Sequence, residues 1–352
     1  MIDNKRPALN KDTALLIKGL IIGKVLTLLV VGGVLWWLKP RLWSYSDTSF
    51  EQTQTAAATN VSNFRTVNNV PIGSFNYGGS TAWSPIRQLV DAQIQSVRPE
   101  LQLRYVNPNN GNPGSSAGIR MLVDGKLDFA QSSRPLTQAE KAIALQRGFR
   151  LEQQPVAVDG IAVVVHPAVK VSGLTIDQLQ QIYQGKITNW NQVGGANLLI
   201  TPFSQRPESG DAARFSVPSS SQQAFAPRVK YVSSTTQALR QVNQTPGSLY
   251  YASARAVVPQ CSVKPLPIGR TSDQFVPPYR EPFVPAQQCP TRRNKVNTEA
   301  FENGSYPITR NLFVIIKHNQ GKEQRVGEAY ANLLLTTQGK KALAQAGFAQ
   351  LR

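Results

Sequence analysis

The side chains best suited to chemistry here are hydroxyls set among glycines, in three clusters between Ser74 and Arg134. They are Tyr77-Gly78-Gly79-Ser80-Thr81, then Asn112-Pro113-Gly114-Ser115-Ser116-Ala117-Gly118, then Asp128-Phe129-Ala130-Gln131-Ser132-Ser133-Arg134. The first lies between a strand-like run, Val70–Phe75, and an amphipathic run, Ser84–Val97, apolar at Ile86, Leu89, Val90, Ile94 and Val97. The second leads into Ile119–Val123, and Ser133 follows the strand-like Leu127–Ala130. Twice the order is strand, small hydroxyl turn, helix start. Helix N-termini carry unpaired N–H groups and the positive end of the dipole, so such turns suit anions. Ser80, Thr81, Ser115, Ser116 and Ser133 can each donate a hydroxyl proton to an oxyanion. A single serine there is ordinarily only a helix cap. Repetition, with a further polar turn at Arg206–Arg214, points to several turns converging on one small oxyanion.

Other chemistry is poorly represented. There is no Gly-x-Ser-x-Gly elbow and no Gly-x-x-x-x-Gly-Lys-Ser/Thr loop, and His166 and His318 are the only histidines. That argues against a Ser-His-Asp triad, a P-loop and a Cys/His metal site, so neither an enzyme nor a metal or other cofactor is expected. Lys and Arg exceed Asp and Glu by 38 to 20, a net charge of +18, which favours anionic partners. No basic run is interleaved with aromatics and no zinc-finger or RNP-type signature occurs, so nucleic acid is not among them.

The elements that must position these clusters alternate. Leu101–Val106 reads as a strand, Ser116–Val123 as a short helix, and 137–146 as a helix with a Thr137/Glu140 capping box. Val156–His166 is an apolar strand ended by Pro167. Thr175–Tyr183 reads as a helix, Leu198–Phe203 and Gly247–Ala252 as strands, and a further strand and helix fall around 225–243. Leu312–Ile316 is a strand, and Arg325–Leu335 and Gly339–Ala346 are helices. Alternation of this kind predicts an α/β fold with a sheet covered on both faces. The section 257–298 carries eight prolines. It reads as an ordered, non-helical excursion, with any strands confined to edges. Cys261 and Cys289 are the only cysteines; outside the cytoplasm they are free to pair, closing a loop that stabilises by about 3–4 kcal/mol.

Leu20–Leu38 is apolar apart from glycines, Lys24 and Thr27, follows Lys5, Arg6, Lys11 and Lys18, and carries Trp36 and Trp37 at its end with Trp43 just beyond. Its length suits a membrane-spanning helix, and its Trp-Trp-Leu-Lys-Pro-Arg end is a poor signal-peptide cleavage site. The expectation is a cytoplasmic N-terminus at 1–19, an uncleaved single-pass anchor at 20–38, a polar linker at 44–69 and a bulk lying outside the cytoplasm.

The ordered set of motifs resembles the phosphate-binding substrate proteins of ABC transporters. It comprises Gly78-Gly79-Ser80-Thr81, Gly114 through Gly118, Asp128 through Leu136 and Arg206-Pro-Glu-Ser209-Gly210. Asp159 through Val165 resembles the family's lobe-crossing strand, Leu174 through Trp190 its helix and Trp turn, and Tyr306 through Arg310 its return crossing. The resemblance implies a two-lobed periplasmic-binding-protein-like fold of type II. One lobe is expected from 70–158 plus 310–352 and the other from 159–309, with the 257–298 excursion. It also implies inorganic phosphate or a related oxyanion as ligand, and an ABC permease as partner. Ser80, Thr81, Ala82 through its N–H, Ser115, Ser116 and Ser133 then face the ligand from the first lobe. Arg206, Ser209, Gly210 and Asp211 face it from the second, with Arg206 as the bidentate cation.

Two positions depart from the family pattern. Ser133 stands where well-studied members carry an aspartate that accepts the proton of monohydrogen phosphate, and Asp211 stands where they carry Thr or Ser. A carboxylate facing an oxyanion repels it unless a proton lies between. One expectation is a swap in which Asp211 accepts that proton; the other is that Asp211 turns toward Arg214 or the backbone. A tethered oxyanion sensor or envelope interaction module of the same fold is the alternative to transport.

Overall fold

A computed structural model describes residues 62–109, 111–205 and 225–351. The expected membrane span, residues 44–61 of the linker and the Arg206–Asp211 turn lie outside these. The last part of the expected linker, 62–69, belongs instead to the folded unit, because Phe64–Thr66 forms a capped 3-10 turn that buries Phe64 in the first core described below. Among the described residues no helix is long and apolar enough to cross a membrane.

Among the described residues nine strands form the main sheet: β1 (Gly73–Gly79), β2 (Leu101–Tyr105), β3 (Phe129–Ser132), β4 (Arg150–Val165), β5 (Thr201–Gln205), β6 (Lys230–Val232), β7 (Ser248–Ser253), β8 (Lys264–Leu266) and β9 (Thr309–His318). Their order is β2-β1-β3-β9-β4-β7-β5-β6, with β8 also paired to β4. β1 runs parallel to both β2 and β3, while β9 is antiparallel to β3 and β4. The helices used below are α1 (Ser115–Val123), α2 (Gln138–Gln146), α3 (Ile176–Tyr183), α4 (Thr235–Gln244), α5 (Lys322–Leu335) and α6 (Thr337–Gln345). The capping box read at Thr137 and Glu140 opens α2, with both reciprocal bonds made.

Burial divides into two lobes. Leu312, Val314 and Ile316 of β9 point into one core with Phe75, Trp83, Ile86, Phe129 and Tyr330; Phe313 and Ile315 point to the sheet's other face with Ile119, Leu122 and Leu127. Alternation of this kind is the period-two signature of a strand covered on both sides. Along β4 the first core takes Val156 and Ala157, and a second core begins at Ile161. At the start of β9 the exchange falls between Ile308, the residue before the strand, and Leu312. The second core gathers Val163, Leu179, Tyr183, Trp190, Val242 and Leu249.

Among the elements that differ from the sequence reading, three have a backbone reason. β1 starts at Gly73 rather than Val70, because Pro71 has no N–H and Asn69 sits at φ +57°; it then runs on through Gly79, held on both sides by neighbours. β4 begins at Arg150, six residues before the apolar run, because β9 pairs along its polar half. The register of that pair shifts where Phe313 faces Pro155 and Leu312 faces Ala157, a bulge at Val156 beside a residue that cannot donate. The run at 84–97 is helical but contains a π turn at Arg87–Asp91, a wider turn frequent at functional sites.

The proline-rich section is not wholly without helix: Ala286–Gln288 forms one 3-10 turn. Cys261 and Cys289 are joined as a disulfide.

Candidate oxyanion site

The parallel strands β1 and β3 end side by side, and α1 starts beside them. Ser80 N donates to the Gln131 carbonyl at 2.8 Å, which extends the β1–β3 ladder into the turn. The Ser80 hydroxyl donates to Ser133 Oγ at 3.0 Å, and Ser115 Oγ lies 3.4 Å from Ser133 Oγ. Ser133 N donates to Ser115 Oγ at 3.0 Å. Three hydroxyls from segments up to fifty-three positions apart thus form one cluster, all buried. Ser80 also caps the next helical turn by accepting from Ala82 N at 3.3 Å.

Ser116 is turned elsewhere: its hydroxyl accepts from Arg134 at 3.0 Å, and Arg134 in turn forms a bidentate pair with Glu140 at 2.6 and 2.9 Å. Thr81 and Ala82 line a cleft of about 810 Å³, together with Ser84, Pro85, Asn112 and Pro113. The opposite wall is Gln205, Tyr231 through Gln237 at the start of α4, and Tyr250 through Ser253. Crevices at the carboxyl ends of strands are where open α/β sheets bind ligands. Arg206, Ser209, Gly210 and Asp211 lie outside the described residues; Gln205, which precedes them, is in the cleft wall. Among the described residues no group of His, Cys, Asp or Glu is placed to hold a metal.

Close backbone packing makes the cluster. Gly118, in the first turns of α1, lies against Gly79, whose φ is +131°. A side chain on Gly118 would overlap the Gly79 Cα, and one on Gly79 would overlap the Gln131 carbonyl. Glycine at both positions lets helix and strand meet.

Two groups of charged side chains near the cleft have no local sequence signal. At its floor Arg310 donates to Asp159 through Nη2 at 3.0 Å and Nε at 3.1 Å, and Ser253 donates to the same carboxylate at 2.7 Å. Arg310 and Asp159 face each other across β9 and β4, where the strands pass between cores. The two lie in separate sequence motifs, and only the strand register pairs them.

The second group lies behind the Ser80 turn. Arg87 donates to the Ser80 carbonyl and to Gln131 Oε1, each at 3.2 Å. Gln131 donates to Tyr330 at 3.0 Å, and Tyr330 and Tyr77 donate to Asp91 at 2.7 and 2.6 Å. Burial pushes the Asp91 carboxyl from 3.8 up to about 6, against the opposing effect of both tyrosines and Arg87. Burial, reinforced by Asp91, likewise raises the Tyr77 and Tyr330 hydroxyls above their ordinary range.

The folded state therefore holds the Asp91 proton more tightly than the unfolded chain. This contribution is full below about pH 4 and is lost as pH rises to about 6. A rise from 3.8 to about 6 corresponds to about 3 kcal/mol. Urea unfolding of wild type and Asp91→Asn across pH 3.5–7.5 should show the difference shifting toward the variant by up to about that amount. A pH-independent difference would rule out the assignment.

A family model described as a PBP superfamily domain matches residues 53–338, and the chain belongs to that family. Protein SphX of Synechococcus elongatus is 29% identical over 138 residues, covering 38% of this chain and 40% of that protein, less than half its length. The phosphate-binding protein PstS of Staphylococcus epidermidis is 23% identical over 275 residues, 77% of each chain. A structure from Clostridium perfringens solved with bound phosphate shares the fold, with a TM-score of 0.61 at 20% identity, covering 80% of this chain and all of that one.

Proposed function

We propose that the chain is an extracytoplasmic solute-binding protein for inorganic phosphate, which closes its two lobes on the anion and hands it to an ABC permease. The observation that carries this reading is the cluster of Ser80, Ser115 and Ser133 hydroxyls at strand and helix ends beside a two-walled cleft. Similarity to the phosphate-binding protein of Staphylococcus epidermidis supports phosphate as the ligand. Thr81 Oγ1, the Ser115 and Ser133 hydroxyls and, on leaving Ser80 Oγ, the Ala82 N–H would supply donors from one lobe, while Ser80 gives its proton to Ser133 and orients it. Arg206, Ser209 and Gly210 would close the shell from the other, and Asp211 would accept the ligand's proton in place of the aspartate that Ser133 replaces. Residues 20–38 would hold the protein on the membrane, so that capture takes place next to the permease.

Calorimetric titration of the full chain with phosphate, with sulfate as control, tests this. Phosphate at about a hundred times Kd should add about 2.7 kcal/mol to unfolding, and Ser115→Ala should weaken binding about tenfold or more. No heat and no thermal shift at millimolar phosphate would defeat the proposal. Asp211→Asn should bring sulfate closer to phosphate in affinity; unchanged discrimination would remove Asp211 from the site.

A further inference from the structure

The hydroxyl cluster carries no charge of its own, yet a cation stands one peptide behind it. We infer that Arg87 is the first lobe's charge for the oxyanion, acting through the Ser80 carbonyl to strengthen the donors of the Ser80–Ala82 turn. The inference rests on the proposed oxyanion site and assigns its charge within this lobe.

The geometry is specific. Arg87 Nη1 donates to the Ser80 carbonyl at 3.2 Å, and Trp83 N donates to the same oxygen at 3.2 Å. That oxygen and the Thr81 N–H belong to one planar, resonance-coupled peptide unit. Drawing electron density onto the oxygen makes the N–H on the other side a better donor, and a charged donor does so more strongly than a neutral one. Thr81 and Ala82 are the members of this turn that line the cleft.

Arg87 is held in place on several sides. Its guanidinium lies over the Tyr105 ring at 4.1 Å, and Gln131 Oε1 accepts from the same nitrogen. Gln131 comes from β3, whose end carries Ser133, so Arg87 ties the Ser80 turn to the strand that brings the third hydroxyl. Behind it Asp91, four positions on, accepts from Tyr77 of β1 and Tyr330 of α5. Asp91 is the counter-charge: while ionised it offsets part of the field that Arg87 projects toward the cleft. The ionisable groups around the guanidinium and its counter-charge are thus Asp91 on its own segment, Tyr77 and Tyr105 on β1 and β2, and Tyr330 on α5.

The test is phosphate titration at pH 8, where Asp91 is ionised, for wild type, Arg87→Met, Arg87→Lys and Asp91→Asn, each checked for a cooperative unfolding transition. Arg87→Met should weaken phosphate about tenfold. Arg87→Lys keeps the charge without the planar fork and should recover at least half of that loss on a logarithmic scale. Asp91→Asn should tighten binding two- to fivefold, because it removes the counter-charge and leaves Arg87. A purely structural brace gives a different pattern: Lys no better than Met, and Asp91→Asn neutral or weaker. That pattern, or wild-type affinity in Arg87→Met, overturns the inference. If Arg87→Met does not fold, the Lys and Asn variants decide it between them. If wild type binds sulfate and not phosphate, the phosphate proposal fails and the same comparisons, made with sulfate, still decide the role of Arg87. If wild type binds neither, both fail.

Discussion

Gly118→Ala should cost about 3 kcal/mol of stability and lower phosphate affinity at least tenfold, although the substitution adds one methyl group and lies in a helix that favours alanine. Helix propensity alone would make Gly→Ala stabilising by about 1 kcal/mol. Packing reverses the sign. The new Cβ falls on the Gly79 Cα, with Gly79 N at 3.0 Å and the Gly78 carbonyl at 3.2 Å. These are backbone atoms, which no rotamer change can move aside, and overpacking of this kind typically costs 1–3 kcal/mol or more. Gly79 cannot retreat, since the Gln131 carbonyl fills the space on its other side. Relief must come from α1 tilting away, which carries Ser115 from its 3.0 Å bond with Ser133 N and its 3.4 Å approach to Ser133 Oγ. Urea unfolding reads the first effect and calorimetry the second. Wild-type values in both would show that the helix can shift without disturbing the site.

Removal of the Arg310 guanidinium should be the most destabilising change at the crossing. Arg310→Met leaves Asp159, 1% exposed, as a buried carboxylate without the Arg310 guanidinium. Breaking a buried pair from one side typically costs 3–5 kcal/mol, because the remaining charge stays desolvated. Asp159→Asn in the same background removes that charge, so the double variant should recover most of the loss. Its Asn can still accept from Ser253, which donates to Asp159 at 2.7 Å. A double-mutant cycle by chemical denaturation measures the coupling. Additive single effects, or a cost below 1 kcal/mol for Arg310→Met, would show that the pair does not hold the crossing. Because Arg310 also lines the cleft floor, the variants report on lobe closure when titrated with phosphate.

Local patterns were legible where the residues themselves enforce the structure. The alternating Leu101, Leu103 and Tyr105 lie on β2. Thr137 and Glu140 form the expected capping box because both halves of it are within four residues. The apolar stretch from Val156 onward is strand because nearly every residue there is buried between covered faces. Legibility failed where a neighbour, not the residue, decides. Arg150 through Pro155 carry no strand signal, yet β9 supplies their hydrogen bonds. The π turn at Arg87–Asp91 has no compositional mark either; it places Arg87 under the Ser80 carbonyl and Asp91 against two tyrosines.

The hydroxyl clusters show the same division. Glycines beside serines at strand-to-helix turns already announced an affinity for anions, because helix starts expose N–H groups whatever the fold around them. The sequence could also nominate Cys261 and Cys289 as a pair, being the only two cysteines, and these are joined. That Ser80, Ser115 and Ser133 meet, while Ser116 turns to Arg134, depends on the parallel pairing of β1 with β3 and on Gly118 against Gly79. The charges depend on it still more. Asp159 and Arg310 are 151 positions apart and Asp91 and Tyr330 are 239 apart, so strand register and helix packing alone bring them together. Anion preference is a property of short backbone motifs and was written in the sequence; the placement of charge around the anion is a long-range property, and only the tertiary structure fixed it.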